Sequence, residues 1–220
     1  MIDSVRKANF AWRAFFERKA IDESMKECKK RGKMTNHMLL YHAGFETIQN
    51  PDIHYGRKNA DFGQGFYLTS SKEFAYRWAK EEKGRRTIVN RYDLDTTGLV
   101  VERFSRTAVW FEYIGGNRRL KPDGLQADVI IGPIANDTIY NTYGIITSGF
   151  LKPEEALRLL RIGPEYEQIV LKSEKAAAQL IWLSAEAVPS GVTAEYKKTL
   201  AVEEEEYQRL FAQAFEEMNN

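Results

Sequence analysis

The sequence is poor in the residues that build metal sites and disulfides. Among its 220 residues there are one cysteine and three histidines. A lone Cys28 excludes an internal disulfide and any cysteine-cluster metal site, and it is compatible with a reducing compartment. His37, His42 and His54 have neither the i,i+4 spacing of a helical metal pair nor a neighbouring cysteine ligand. We therefore expect no bound metal.

Long apolar runs are also missing. No stretch of about 20 apolar residues is present, so we expect no membrane-spanning helix and no membrane partner. The first residues contain neither an uncharged run of signal-peptide length nor a small-residue cleavage pattern. We therefore expect a cytoplasmic protein. Leaderless export by a dedicated secretion machine would leave no such pattern and is the alternative.

Net charge is nearly absent, because 32 Lys and Arg residues face 31 Asp and Glu residues. The two signs are nevertheless unevenly distributed. Residues 1–37 contain ten basic and five acidic residues, residues 38–184 contain 19 and 18, and residues 185–220 contain three and eight. Together with apolar spacing, this predicts a basic amphipathic N-terminal helix, a neutral core and an acidic C-terminal helix. The two arms are expected either to pack on each other and on the core, which we favour, or to dock a neutralising partner.

The hydrophobic patterns predict an α+β fold rather than a regular βαβ alternation. Residues 44–65 lack periodicity and are rich in Asn, Asp, Gly and Pro, so a long functional loop is expected there. The predicted strands are 38–42, 66–69, 87–94, 99–101, 128–132, 167–171 and 180–183; the predicted helices are 3–30, 70–83, 106–115, two within 137–161, 173–179 and 193–218.

Two segments near this loop contain residues suited to binding a polar, planar ligand. His42 ends a buried strand, where its ring has a fixed position and the following turn leaves the backbone open. The segment NADFGQGFYLT places Gly63 and Gly65 before Tyr67, so the backbone can pass close to a planar ligand while the ring packs on it. Taken alone, such a histidine and such a glycine-rich turn more often have structural roles.

A third segment opens a late buried strand with Glu167 and Gln168. A carboxylate there can accept a hydrogen bond from a sugar hydroxyl and stabilise nearby positive charge, although a solvent-exposed glutamate at a strand start is the common alternative.

The glycine segment is neither a phosphate-binding P-loop nor a dinucleotide fingerprint, because no Gly-Lys-Ser/Thr follows and the strand comes after the glycines. A Ser/His hydrolase is disfavoured because no Gly-x-Ser-x-Gly motif exists.

The order of these segments resembles the His-Tyr-Glu arrangement of ADP-ribosyltransferases of the diphtheria-toxin and poly(ADP-ribose) polymerase type. NADFGQGFYLT, then Phe74-Ala75 with Trp78-Ala79, DVIIGPIANDT and QIVLKSEKAAAQL are similar to a bacterial family of unknown function, often found in toxin–antitoxin-like gene pairs. The resemblance spans about residues 38–184. It implies an ADP-ribosyltransferase-like split β-sandwich with flanking helices, NAD as co-substrate, no metal, and a role as a bacterial toxin or defence effector.

The resemblance also implies a role for individual residues. His42 would bond the adenosine ribose of NAD, and the backbone at Ala43 would hold the nicotinamide carboxamide. Tyr67 and Trp78 would enclose the nicotinamide ring. Ala43 stands where the superfamily usually has Gly, and Trp78 where it more often has Tyr. The remaining cofactor-binding candidates are Gly44, Asn59, Asp61, Gly63, Gly65 and Phe66.

The catalytic candidates are Tyr67 and one of two neighbours. Glu167 matches the catalytic Glu of the superfamily because it precedes Gln-Ile-Val-Leu, whereas Gln168 matches the residue that recurs in the smaller family. Successive strand residues face opposite sides, so only one of the two can face the pocket. If Gln168 does, Asn59, Asp61 and Asp128 are the candidate substitutes for the missing carboxylate.

The implied reaction is displacement of nicotinamide from the anomeric carbon of NAD by an acceptor nucleophile, through an oxocarbenium-like centre. The acceptor would be a protein or a nucleic acid, and an antitoxin protein is a further implied partner. Arg85-Arg86 and the segment 118–121 could follow a phosphate backbone, although paired arginines in loops are more often simply solvated. The competing hypothesis is a catalytically inactive NAD- or partner-binding module of the same fold.

Overall fold

The computed structural model describes residues 36–78, 84–135 and 151–219. From His37 onward these residues belong to one compact unit. The predicted N-terminal helix with Cys28, Ala79 and the end of the helix 70–83, and the first helix within 137–161 lie outside the described residues. The proposed pairing of the two charged arms lies outside them for the same reason.

Strands and helices follow one another irregularly, as the sequence predicts for an α+β fold. In chain order the elements are β1 (His37–Gly44), β2 (Phe66–Leu68), α1 (Lys72–Arg77), β3 (Ile88–Asp95), β4 (Val101–Arg103), α2 (Ala108–Arg118), β5 (Val129–Pro133), α3 (Pro153–Leu160), β6 (Glu167–Leu171), α4 (Glu174–Ala178), β7 (Leu180–Ala187) and α5 (Ser190–Asn219).

The strands form two sheets. One sheet has the order β1-β3-β7 and is antiparallel throughout. The other has the order β2-β6-β5-β4, in which only the pair β4 and β5 is parallel among the described strands. The α+β class is therefore confirmed.

The first core lies between the two sheets. Alternation along each strand directs every second residue inward, so Leu40 and Tyr92 of one sheet meet Phe66 and Ile169 of the other in one buried cluster. The neighbouring residues Tyr67 and Gln168 consequently belong to the other face of the four-stranded sheet.

The second core lies on that other face, under the helices. Trp110 of α2 and Leu159 of α3 are buried together with Val170 of β6. Tyr207 and Phe211, one helical turn apart on α5, complete this cluster. The acidic C-terminal helix thus packs on the core through Tyr207 and Phe211.

Several predicted boundaries move once tertiary contacts are included. The helix expected to end at Gly115-Gly116 continues to Arg118, because buried Asn117 is held by a hydrogen bond of 3.0 Å from its Nδ2 to the main-chain oxygen of Asp61. The last strand continues past residue 183 to Ala187, since its ladder with β3 continues. Helix α5 begins before the expected cap Thr193, at Ser190. None of the described helices is both long enough and apolar enough to cross a membrane.

Candidate functional site

A cleft opens where β1 approaches the end of β2, beside α1. The main chains of Tyr41 and Thr69 form an isolated antiparallel bridge here, with N···O distances of 2.8 and 3.0 Å, which joins the two sheets. The cleft contains about 400 Å³ of empty space, part of it open to solvent. The predicted site residues that line it are His42, Ala43, Tyr67, Trp78 and Gln168.

His42 is held by the opposite sheet. Its Nδ1 lies 2.8 Å from the main-chain oxygen of Tyr67, and because a carbonyl can only accept, Nδ1 carries the proton. The ring stacks on Phe66 with centroids 4.7 Å apart. Burial lowers the pKa of His42, which keeps the ring neutral and leaves Nε2 as an acceptor. A Cβ at Gly44 would lie 3.4 Å from Nε2, so the glycine keeps this nitrogen approachable.

Tyr67 contributes an aromatic wall, and its hydroxyl is already occupied. The hydroxyl donates to the Gly63 oxygen at 2.7 Å and accepts from the Phe62 main-chain N–H at 3.1 Å. Burial raises the pKa of Tyr67 far above its ordinary value, so the hydroxyl stays protonated at neutral pH. The ring of Tyr67 is therefore suited to packing against a ligand and not to exchanging a proton with it.

Helix α1 supplies two further rings. Phe74 is buried and lines the cleft. Trp78, the C-cap of the helix, also lines the cleft and is 45% exposed. The two ring centroids are 5.5 Å apart, as expected for residues four positions apart on a helix. With Tyr41 and Tyr67, four Tyr, Phe and Trp residues thus line a single cleft.

The pleat of β6 separates Glu167 from Gln168. Pairing on both sides fixes the strand, with Gln168 opposite Gly132 of β5. Gln168 is 4% exposed and lines the cleft. Glu167 begins the strand on the other side of the pleat, is exposed, and does not line the cleft. The Gln168 Nε2 lies 3.4 Å from the Pro133 oxygen, which leaves Oε1 as the acceptor of this side chain.

The three candidate substitutes for a cleft carboxylate do not line the cleft. The carboxylate of Asp61 is 2.7 Å from the Arg118 guanidinium. Asp128 accepts hydrogen bonds from the Val100 N–H at 2.8 Å and the Ser173 hydroxyl at 2.6 Å. Asn59 is exposed in the loop before β2. No carboxylate is therefore found among the described residues that line the cleft.

The remaining predicted residues shape the segment that carries Tyr67. Gly63 has a φ of +71°, a conformation that favours glycine. A Cβ at Gly65 would lie 2.6 Å from the Leu171 oxygen, so only glycine fits against β6 there. Phe66 faces the core between the sheets. These positions support the site from behind without lining it, which is the structural role left open by the sequence.

Sequence reasoning did not single out six of the lining residues as site residues: Tyr41, Leu68, Thr69, Phe74, Ala75 and Ile134. The four-residue spacing of Phe74 and Trp78 is a signal that could have identified the former. Ile134 follows β5, and its main-chain N–H donates to the Tyr166 oxygen at 2.7 Å. Its position depends on long-range pairing that no local pattern encodes.

The predicted arginine pairs are partly committed to structural contacts. The Arg118 side chain is 9% exposed and bound to Asp61, so Arg118 does not offer its charge to a phosphate backbone. The guanidinium of Arg85 lies 4.4 Å over the Phe45 ring. Within residues 36–78, 84–135 and 151–219, no group of three or more His, Cys, Asp or Glu side chains is arranged to hold a metal.

Comparisons with known proteins define the family. No match is found among curated proteins or among solved structures. Residues 38–182 match the family described as a protein of unknown function, DUF3990, over a range that runs from β1 to the first three residues of β7 and contains all five predicted residues of the cleft. Because the match covers more than half of the chain, the protein belongs to the DUF3990 family.

Proposed function

We propose that this protein is an NAD-dependent ADP-ribosyltransferase with a split β-sandwich core, which transfers ADP-ribose to a protein or nucleic acid and releases nicotinamide. Its cellular role would be that of a bacterial toxin or defence effector. One observation carries the proposal: His42, Tyr67, Trp78 and Gln168, from distant segments, line the same cleft. Their chemistry suits the nicotinamide ring, a hydroxyl of the adenosine ribose, and the ribose whose bond to nicotinamide breaks.

The aromatic walls suit the nicotinamide ring. In NAD this ring is planar and positively charged, and aromatic faces attract such a cation by about 0.5–2 kcal/mol each. Tyr67, Phe74 and Trp78 line the cleft, and none of the described lining residues carries a competing cationic charge when His42 is neutral. Nicotinamide becomes neutral when it leaves, so the walls would hold the product less tightly than the substrate.

His42 suits a ribose hydroxyl. Its Nε2 is an acceptor because Nδ1–H is bonded to the Tyr67 oxygen. Stacking on Phe66 fixes the plane of the ring before any ligand arrives. A hydrogen bond from a sugar hydroxyl would therefore be formed without reorganising the imidazole.

Gln168 is the polar group available to the reacting sugar. Breaking the bond between the anomeric carbon and the nicotinamide nitrogen leaves positive charge on the ribose, and the Gln168 Oε1 could accept a hydrogen bond from a ribose hydroxyl as that charge develops. The acceptor nucleophile then forms the new bond and loses its proton. Since no described lining residue is a carboxylate, that proton would pass to solvent or to a second, basic group of the acceptor molecule.

The same residue favours a second candidate function. An amide stabilises positive charge less than a carboxylate does, because charge-assisted hydrogen bonds are roughly twice as strong as neutral ones. A cleft with Gln168 inward and Glu167 outward is therefore also what a catalytically inactive NAD-binding module would have. The two candidates agree on NAD binding and differ in nicotinamide release.

One experiment separates them. The purified full chain is incubated with adenylate-labelled NAD and cell extract, and free nicotinamide, labelled protein and labelled nucleic acid are followed separately. NAD binding is measured in parallel by calorimetry. Release above that of a Tyr67→Ala variant supports the transferase, and binding without release supports the inactive module. Absence of both binding and release would refute the two candidates together.

A further inference from the structure

The C-terminal helix reaches the back of the cleft through a charge network. Arg77 ends α1 with a side chain that is only 7% exposed. Its two terminal nitrogens donate to both carboxylate oxygens of Glu203 in α5, at 2.6 and 3.0 Å. The Tyr166 hydroxyl accepts from Arg77 at 2.7 Å and donates to Glu203 at 3.0 Å. Each side chain of this triad is therefore hydrogen-bonded to both of the others.

The triad stands directly behind the aromatic wall. Arg77 immediately precedes Trp78, and the guanidinium lies 5.3 Å over the Tyr166 ring. The Tyr166 ring also stacks on Phe74, with centroids 4.6 Å apart. Phe74 in turn contacts Trp78. A movement of Glu203 would thus reach Phe74 through Tyr166, and Trp78 through Arg77.

Glu203 differs from the acidic residues that follow it. Its side chain is 21% exposed and lies one helical turn before buried Tyr207, whereas Glu204, Glu205 and Glu206 are exposed. A bidentate, partly buried pair with arginine is geometrically specific, unlike an exposed ion pair. The ion pair between Arg158 of α3 and Glu217 also connects α5 to the core, but both of its side chains are half exposed.

We propose that Glu203 is a positioning residue of the NAD cleft, which acts through Arg77 and Tyr166 to hold the wall formed by Phe74 and Trp78. The inference rests on the proposed function for the identity of the ligand, and on geometry alone for the effect on Trp78. It makes α5, which lies beyond residues 38–182 of the family match, part of the site.

The test compares Glu203→Gln, which removes the charge and keeps the shape, with the double variant Arg77→Met/Glu203→Leu, which removes both charges. Glu217→Gln is the matched control, because it alters the other ion pair between α5 and the core. Full-length chains labelled with 5-fluorotryptophan report on the wall by ¹⁹F NMR, with the Trp78 signal assigned by Trp78→Phe. Kd, KM and kcat for NAD are measured on the same proteins, and circular dichroism checks their folding.

We expect Glu203→Gln and the double variant to shift or broaden the Trp78 signal and to raise Kd and KM for NAD at least fivefold, with kcat within twofold of wild type. Glu217→Gln should change neither quantity. An unchanged Trp78 signal in both network variants, or NAD binding within twofold of wild type, overturns the proposal. Failure of both variants to fold would overturn it too, by assigning the triad to global stability. If the wild-type chain binds no NAD, the proposed function fails, while the Trp78 signal still decides on the triad.

Discussion

Replacing Gln168 by Ala should lower turnover far more than it lowers stability. The side chain lies in the cleft, and we assign its Oε1 to the ribose as positive charge develops there. Losing one preorganised partner of this kind costs about 2.7 kcal/mol or more of transition-state stabilisation, which is roughly a hundredfold in kcat. The fold loses only one long hydrogen bond of 3.4 Å. The Pro133 oxygen that accepts it keeps a second donor, Trp110 Nε1 at 3.2 Å, so no buried carbonyl is left unsatisfied.

Two further variants, one outside the cleft and one within it, test the same role of Gln168. Glu167→Ala changes an exposed side chain outside the cleft and should leave kcat within about threefold of wild type, since it removes no contact with the sugar. Gln168→Glu supplies the carboxylate that the cleft lacks. If the charged acceptor adds about 1.4 kcal/mol to the interaction, kcat should rise roughly tenfold.

The assay is nicotinamide release at saturating NAD, followed for each variant beside its thermal melt. A loss of less than tenfold in Gln168→Ala, with the protein still folded, would refute the role given to the amide. A larger loss of kcat in Glu167→Ala than in Gln168→Ala would refute the inference that Gln168, and not Glu167, faces the reacting sugar.

Three further predictions concern the residues around the cleft. Burial lowers the pKa of His42, so its neutral ring contributes stability that is present above the unfolded pKa of about 6.5 and is lost as the pH falls below it. The difference in Tm between wild type and His42→Gln should therefore shrink from pH 8 to pH 5. A difference that stays constant over this range would contradict the prediction. Gly65→Ala should lower the free energy of unfolding in urea by about 3 kcal/mol, because its Cβ would lie 2.6 Å from the Leu171 oxygen of β6. Gly116→Ala, which has open space around it in α2, should raise this free energy by about 0.5–1 kcal/mol. Equal effects would show that the close approach of Gly65 to β6 does not determine stability. Tyr67→Phe keeps the aromatic ring but removes two hydrogen bonds, so it should cost about 1–2 kcal/mol of stability and change NAD affinity less than threefold. Tyr67→Ala removes the ring and should weaken NAD binding at least tenfold. Equal losses of affinity in the two variants, measured by calorimetry, would contradict packing of the ring on the ligand.

Local patterns predicted the strands because buried strands are short apolar runs. The run before His42 and the run after Glu167 are confirmed as β1 and β6. Which of Glu167 and Gln168 faces the cleft could not be predicted, because a shift of one residue in register exchanges the two faces. Pairing of β6 with β2 and β5 fixes that register, and both partners are distant in the chain.

Helix ends were less predictable for a similar reason. Gly115-Gly116 weakens a helix locally, but the buried side chain of Asn117 holds the next turn against the Asp61 segment. The triad of Arg77, Tyr166 and Glu203 could not be predicted either. A run of glutamates on a helix is typical of a solvent-exposed face, and only the tertiary structure places Arg77 opposite one of them.

The cleft also lies across the seam between the two sheets. There, the main chains of Tyr41 and Thr69 pair, and His42 reaches the Tyr67 carbonyl. A ligand seated in the cleft would contact both sides and become one more connection between them, so its binding energy would add to the work of separating the sheets. At a hundred times its Kd, such a ligand raises the free energy of unfolding by about 2.7 kcal/mol. Melting temperature in the presence of NAD would therefore report occupancy even in a variant that never breaks the glycosidic bond.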